Sequence, residues 1–172
     1  MFIAQKLRKQ SISAYLIYMY QVEDIIRAYG LDADRIATEY LPRLGYDEEQ
    51  LQQAREWYES LVRMMHEEGK EEIGHVRVVQ NTLDLLEDYH RELLADNDNH
   101  DYRATYYKAL PHIVALRAQS NNKDKHEMEN CIDALYGATI LRMQGKELFA
   151  GTQNALKPIS ELLRLGEEAN KL

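Results

Sequence analysis

Four places in this 172-residue chain put a charged or metal-ligating side chain on a helix face that otherwise reads as apolar. The first is Glu23, in the stretch from Ser11 to Tyr29. At about 100° per residue it projects between Leu16 and Met19 and close to Ile12. The second is Glu87 with His90, three residues apart, and the third is Glu72 with His75 at the same spacing. The fourth is Arg142, which falls on the side of Met128, Leu135 and Thr139. A charge in such a position must be paired, protonated or used.

Pairing is the structural reading. It joins Glu23 to Arg142 across the core, or to Arg27 one turn further on, because buried charges are usually paired and long side chains reach a boundary. The polar cluster is then Glu23, Arg27, Glu87, His90 and Arg142, with no cofactor. The alternative is a metal. Glu-x-x-His on a helix aims two ligands to one side, as the di-iron carboxylate bundles do. Those bundles take their two pairs from different helices, whereas both pairs here fall on one predicted helix. Among 18 Glu and 6 His, pairs at that spacing also arise by chance. A mononuclear site from Glu23, Glu87 and His90 is the remaining metal expectation.

Other chemistry finds less support. Glu67, Glu68, Glu71 and Glu72, with Asp84, Glu87 and Asp88, imitate the acidic clusters by which helical nucleotide pyrophosphatases hold Mg²⁺. The order within the second cluster is wrong, and Asp84 and Asp88 point away from the apolar stripe, so a solvated face is the better account. Cys131 lies on an apolar helix face, where a thiol is inert. Gly69-Lys70 lacks the glycine spacing and strand of a phosphate loop. The 12 tyrosines each bring an apolar ring and a hydroxyl that needs a partner. Tyr15, Tyr18, Tyr106 and Tyr136 are the candidates for an aromatic pocket.

These residues must be positioned by helices, because no segment alternates at period two for long enough to form a strand. Helix 1 is predicted from about Lys9 to Tyr29, stopped by Gly30, and its apolar girth makes it the centre of a bundle. A short helix capped at Asp32 or Asp34 ends before Pro42. Asp47 opens a third helix, with Glu48, Glu49 and Gln50 in its first turn, and Gly69 ends or bends it. The fourth runs from about Glu71 to Leu94, with Val76, Val79, Leu83, Leu86 and Leu93 on its stripe. The fifth runs from about Tyr102 to Gln119 with Pro111 inside it. The sixth starts near Lys125, where Gly137 and Ala138 leave room for a close neighbour. The last is capped at Thr152 or starts near Pro158, and Glu167 to Leu172 fray. The prediction is an all-α, mostly antiparallel bundle of six or seven helices in a single domain, 1–172.

Two stretches resemble an all-helical bacterial domain-of-unknown-function family. One is Ile3-Ala4-Gln5-Lys6-Leu7-Arg8-Lys9 followed by Tyr15-Leu16, Tyr18-Met19, Gln21, Glu23-Asp24 and Ile26-Arg27-Ala28. The other is Cys131 with Ala134-Leu135-Tyr136-Gly137 and Leu141-Arg142. The resemblance implies an all-helical, cytoplasmic protein and brings no activity, cofactor or catalytic residue.

Composition narrows the partners. A formal net charge of −8 disfavours nucleic acid, which needs an excess of Lys and Arg on one face. The single cysteine rules out an internal disulfide and gives no sign of an oxidising compartment. Met1 to Gln10 lacks a secretory layout, and the longest apolar run, Ala14 to Tyr20, is far short of a membrane span. The expectation is a cytoplasmic binding or assembly module that uses a protein partner or a second copy of itself; a metal-dependent enzyme is the competitor.

Overall fold

The predicted first helix is two. In the structure, a computed structural model that describes residues 1–170, α1 (Phe2–Gln10) ends before Ser11 and α2 (Ile12–Ala28) begins after it. Ser11 stands between them outside the helical ladder, its hydroxyl donating to the Glu167 carboxylate that also accepts Ser13 N–H. The end of α2 falls where the glycine puts it. Gly30 takes φ +68°, its N–H bonds the Arg27 carbonyl, and the Leu31 N–H reaches back to Ile26. That is the Schellman arrangement, and Gly69 and Gly145 close two later helices the same way.

The described chain falls into two compact units. The first holds Met1–Gln10 and Ala14–Asn81. After α2 it contains α3 (Ala33–Arg35), capped by the Asp32 carboxylate on Arg35 N–H. A π-turn at Ile36–Tyr40 and a 3₁₀ turn at Leu41–Leu44 follow, where Pro42 prevents an α-helix from continuing. Next comes α4 (Glu48–Glu67), opened by a reciprocal capping box between Asp47 and Gln50. Its buried residues Ala54, Tyr58, Leu61, Val62 and Met65 recur at helical spacing along one face. On α2 the buried apolar residues are Tyr15, Leu16, Met19, Tyr20, Val22 and Ile26.

The second unit holds Ser11–Ser13 and Thr82–Leu172. Its helices are α5 (Arg77–Ala95), whose first turn belongs to the first unit, α6 (His100–Gln119), α7 (Glu127–Met143) and α8 (Ala150–Ala169). α6 packs on α7 and α8, and α7 on α8. Pro111 lies inside α6 without dividing it, as expected.

The described residues therefore form eight α-helices and no strand, an all-α fold with more helices than the six or seven predicted. Three boundaries differ. α5 starts at Arg77 rather than Glu71, because Gly69 ends α4 and Gly74 takes φ +85° in between. α8 starts at Ala150, ahead of both predicted starts, and carries Pro158 inside it. The expected fraying from Glu167 is not found as far as Ala169, where α8 remains helical; Lys171 and Leu172 lie outside the described residues. No helix among the described residues is long and apolar enough to cross a membrane.

Candidate functional site

Glu23 is 1% exposed, as its place on α2 requires, but its partners differ from the two expected. One carboxylate oxygen accepts the buried Val76 N–H at 2.9 Å, and the other lies 2.6 Å from His75 Nδ1. Tyr20 stacks on that imidazole with ring centroids 4.0 Å apart. Arg27 does not pair with Glu23. Its guanidinium takes the carbonyls of Lys70 and Gly74 and the carboxylate of Asp24. Arg142, the other expected partner, is exposed on α7 rather than buried on its apolar side.

Val76 is the residue from which α5 starts, since Val79 N–H and Gln80 N–H both bond its carbonyl. A helix start leaves N–H groups that the helix itself cannot satisfy. Here a carboxylate from elsewhere in the sequence supplies the acceptor, and the device recurs. Glu68 accepts Arg77 N–H at the same helix start. Glu87, 5% exposed on α5, accepts Met128 N–H at the start of α7 at 3.1 Å, and Arg91 holds its other oxygen. Glu167 on α8 accepts Ser13 N–H and the Ser11 hydroxyl at the start of α2. A carboxylate so placed also meets the positive end of the helix dipole. The local N-cap side chains of α7 and α8 make no such bond.

The second buried group lies wholly in the second unit. His90, 2% exposed on α5, sits with Nδ1 2.7 Å from the Tyr102 hydroxyl of α6 and Nε2 3.2 Å from Glu127, the first residue of α7. Glu127 also accepts the Tyr106 hydroxyl at 3.4 Å and lies 3.6 Å from Arg117. The hydrogen bond from His90 holds the Glu127 carboxyl below its ordinary range. An ionised carboxylate only accepts, so Nε2 carries the proton and Nδ1 is left to receive the Tyr102 hydroxyl in the neutral ring. Burial pushes the Tyr106 phenol up to about 12, with the Glu127 charge acting in the same direction.

Beside this group opens a cavity of about 380 Å³. Glu87, His90 and Arg91 reach it from α5, Arg117 from the end of α6, and Lys123–Glu127 from the connection into α7. It is a polar site, with guanidinium, ammonium and imidazole groups facing three carboxylates. A second cavity, of about 370 Å³ between α6, α7 and α8, is mostly apolar and lined by small residues such as Ala134, Gly137 and Gly151. The room expected beside Gly137 is open space, since nothing lies within 4 Å of where a Cβ would stand.

Of the sequence candidates, Glu87 and His90 thus share one site, while Glu23 and Arg27 belong to the first unit. The aromatic candidates divide likewise. Tyr15 lies under Arg8 and Tyr18 stacks on Trp57 in the first unit, whereas Tyr106 joins His90 and Glu127 in the second, which also holds Tyr136. Glu72 and His75 sit in the loop before α5, so their helical spacing does not apply. Of the acidic run, Glu68 caps Arg77 and Glu71 lies beside His66, and both stand past the end of α4 rather than on a helix face. Arg91, Arg117, Lys123, Tyr102 and Glu127 were not legible as site residues. They come from three helices and a connection, and no local spacing links them.

Residues 1–170 match a family model described as "Domain of unknown function (DUF4924)". No curated protein and no solved structure matches the chain.

Proposed function

The chain belongs to that domain-of-unknown-function family, and from its own side chains we propose that it is a non-catalytic binding module whose ligand seat is the polar cavity between α5, α6 and α7. One observation carries the reading: the cavity's two glutamates and its buried histidine are already held, while its arginines keep donors to spare. Glu87 is spent on Met128 N–H and Arg91, and both nitrogens of His90 are spent on Tyr102 and Glu127. An imidazole fixed at both ends positions a wall; it is poorly placed to shuttle a proton to a substrate. Cys131, fully buried, offers no nucleophile.

The competing reading, a metal enzyme using Glu23, Glu87 and His90, would have to displace these donors first. Glu23 binds Val76 N–H and His75, so both its oxygens have partners. Within the first unit we take α2 as the organising helix, because its buried residues and Glu23 together fix the loop that precedes α5. The family match runs through both units, which supports reading residues 1–172 as one domain. A single cysteine and an acidic balance support a cytoplasmic protein that binds neither nucleic acid nor membrane. Self-association stays the alternative use of the module.

The test is a small-molecule fragment screen on ¹⁵N-labelled full-length protein. Amide shifts that cluster at Glu87–Leu94, Arg117 and Lys123–Met128 are the expected result. Binders that map only elsewhere, or stoichiometric Fe, Mn or Zn in the purified protein that is lost on Glu87→Ala, would sink this reading.

A further inference from the structure

The cavity between α5, α6 and α7 has the opposite sign to the chain that carries it. Arg91, Arg117, Lys123 and Lys125 line it against Glu87, Asp124 and Glu127, in a protein of net charge −8. Glu87 and Glu127 are neutralised in place by Arg91, Met128 N–H, His90 and Arg117. Lys125 is withdrawn as well, held by Asp133 at 2.6 Å and Glu129 at 3.6 Å. What remains is incompletely used cation. Arg117 Nε is enclosed away from solvent and has no hydrogen-bond partner among the described residues. Another nitrogen of the same guanidinium, Nη2, lies 3.6 Å from Glu127, longer than a hydrogen bond. Arg91 reaches Glu87 and His126 with two of its nitrogens and is otherwise exposed, and Lys123 is exposed at the rim.

An enclosed guanidinium nitrogen without an acceptor is costly, and the planar fork of arginine is matched by an oxygen pair. We propose that this cavity binds the oxyanion group, phosphate or carboxylate, of a small molecule, held by Arg117 and Arg91 with Lys123 at the entrance. This rests on the cavity being the ligand seat and adds the chemistry of what it takes. Two arginines with donors to spare and one rim lysine argue for one or two negative charges on the ligand. A polyanionic chain would meet the acidic remainder of the surface.

The experiment titrates the ¹⁵N-labelled protein with inorganic phosphate and, separately, with malonate, at constant ionic strength set with NaCl. Saturable shifts of Lys125–Met128 amides and of the Arg117 Nε–H signal are expected with at least one of the two. The arm that binds more tightly tells phosphate from carboxylate. Arg117→Gln should weaken that binding by about tenfold or more, the effect of one charged hydrogen bond. Lys123→Gln, at an exposed residue where no fold contact is at stake, should weaken it about two- to fivefold. Lys9→Gln on α1 should leave it unchanged. Shifts that fail to saturate, that NaCl alone reproduces, or that survive both cavity substitutions overturn the proposal. If neutral fragments map to the cavity while both anions fail, the oxyanion is wrong and the seat stands; if neither maps there, both fall.

Discussion

Glu23 and Arg27, one turn apart on α2, hold the same loop by opposite chemistry. Glu23 accepts the N–H of Val76, while Arg27 donates to the carbonyls of Lys70 and Gly74. Between them they bind both ends of the connection from α4 to α5, which has no secondary structure of its own. An ion pair between the two would have satisfied two side chains. Binding the loop instead satisfies backbone groups that a chain turning between two helices leaves open.

Glu23→Ala should therefore destabilise the protein by at least about 1–3 kcal/mol, the cost of leaving the buried Val76 N–H without an acceptor. Glu23→Gln keeps a carbonyl oxygen for that N–H and can present its amide to His75, so it should lose less than half as much. Urea unfolding followed by far-UV circular dichroism reads both. A Glu23→Ala loss within about 0.5 kcal/mol, the range of ordinary surface changes, would show that the cap contributes nothing.

Glu127 gives the fold a dependence on acid. Its carboxyl is lowered from an ordinary 4.5, chiefly by the hydrogen bond from His90, with Tyr106 and Arg117 acting in the same direction and burial opposing them. A carboxyl depressed in the folded state adds stability that is fully present above 4.5 and is lost as pH falls through the lower folded value. The stability difference between the wild type and Glu127→Gln should thus be flat from pH 5 to neutrality and shrink below about 4.5. Denaturant midpoints collected from pH 3 to 7 test it. A difference that grows on acidification would mean that Glu127 is not held as an anion by His90.

The sequence made the helices legible because apolar period, caps and glycine stops act within a few residues of one another. Asp47 with Gln50, and Gly30 and Gly69, are all found where such signals place them. The break at Ser11 was missed because Tyr15, Leu16 and Met19 continue an apolar face that masks it. Glu23 was legible as a buried polar residue, since burial follows from its own helix. Its partner was not, because His75 and Val76 lie 52 and 53 residues away and belong to a loop. The cavity was half legible for the same reason. Glu87 and His90 interrupt an apolar stripe, whereas Arg117 and Lys123 sit where exposed charge is ordinary, and only the meeting of three helices gives them a common target.

Cys131 tests the packing of the second unit without altering it. The thiol is 0% exposed on α7, and burial, reinforced by the charges of Glu127 and Glu87, pushes its ionisation well up. The thiolate is the reactive form, so the native protein should resist Ellman's reagent at pH 8 for two reasons at once, access and charge. Relative to the urea-unfolded chain its reaction should be slowed by at least about 10³-fold, the opening population of a protein of ordinary stability. The urea dependence of the slow rate then separates two routes. A slope equal to that of global unfolding means that Cys131 is reached only when the whole core opens; a shallower slope means that α7 opens by itself. Native reactivity within tenfold of the unfolded chain would contradict the buried thiol, and with it the packing that sets Glu127 against His90.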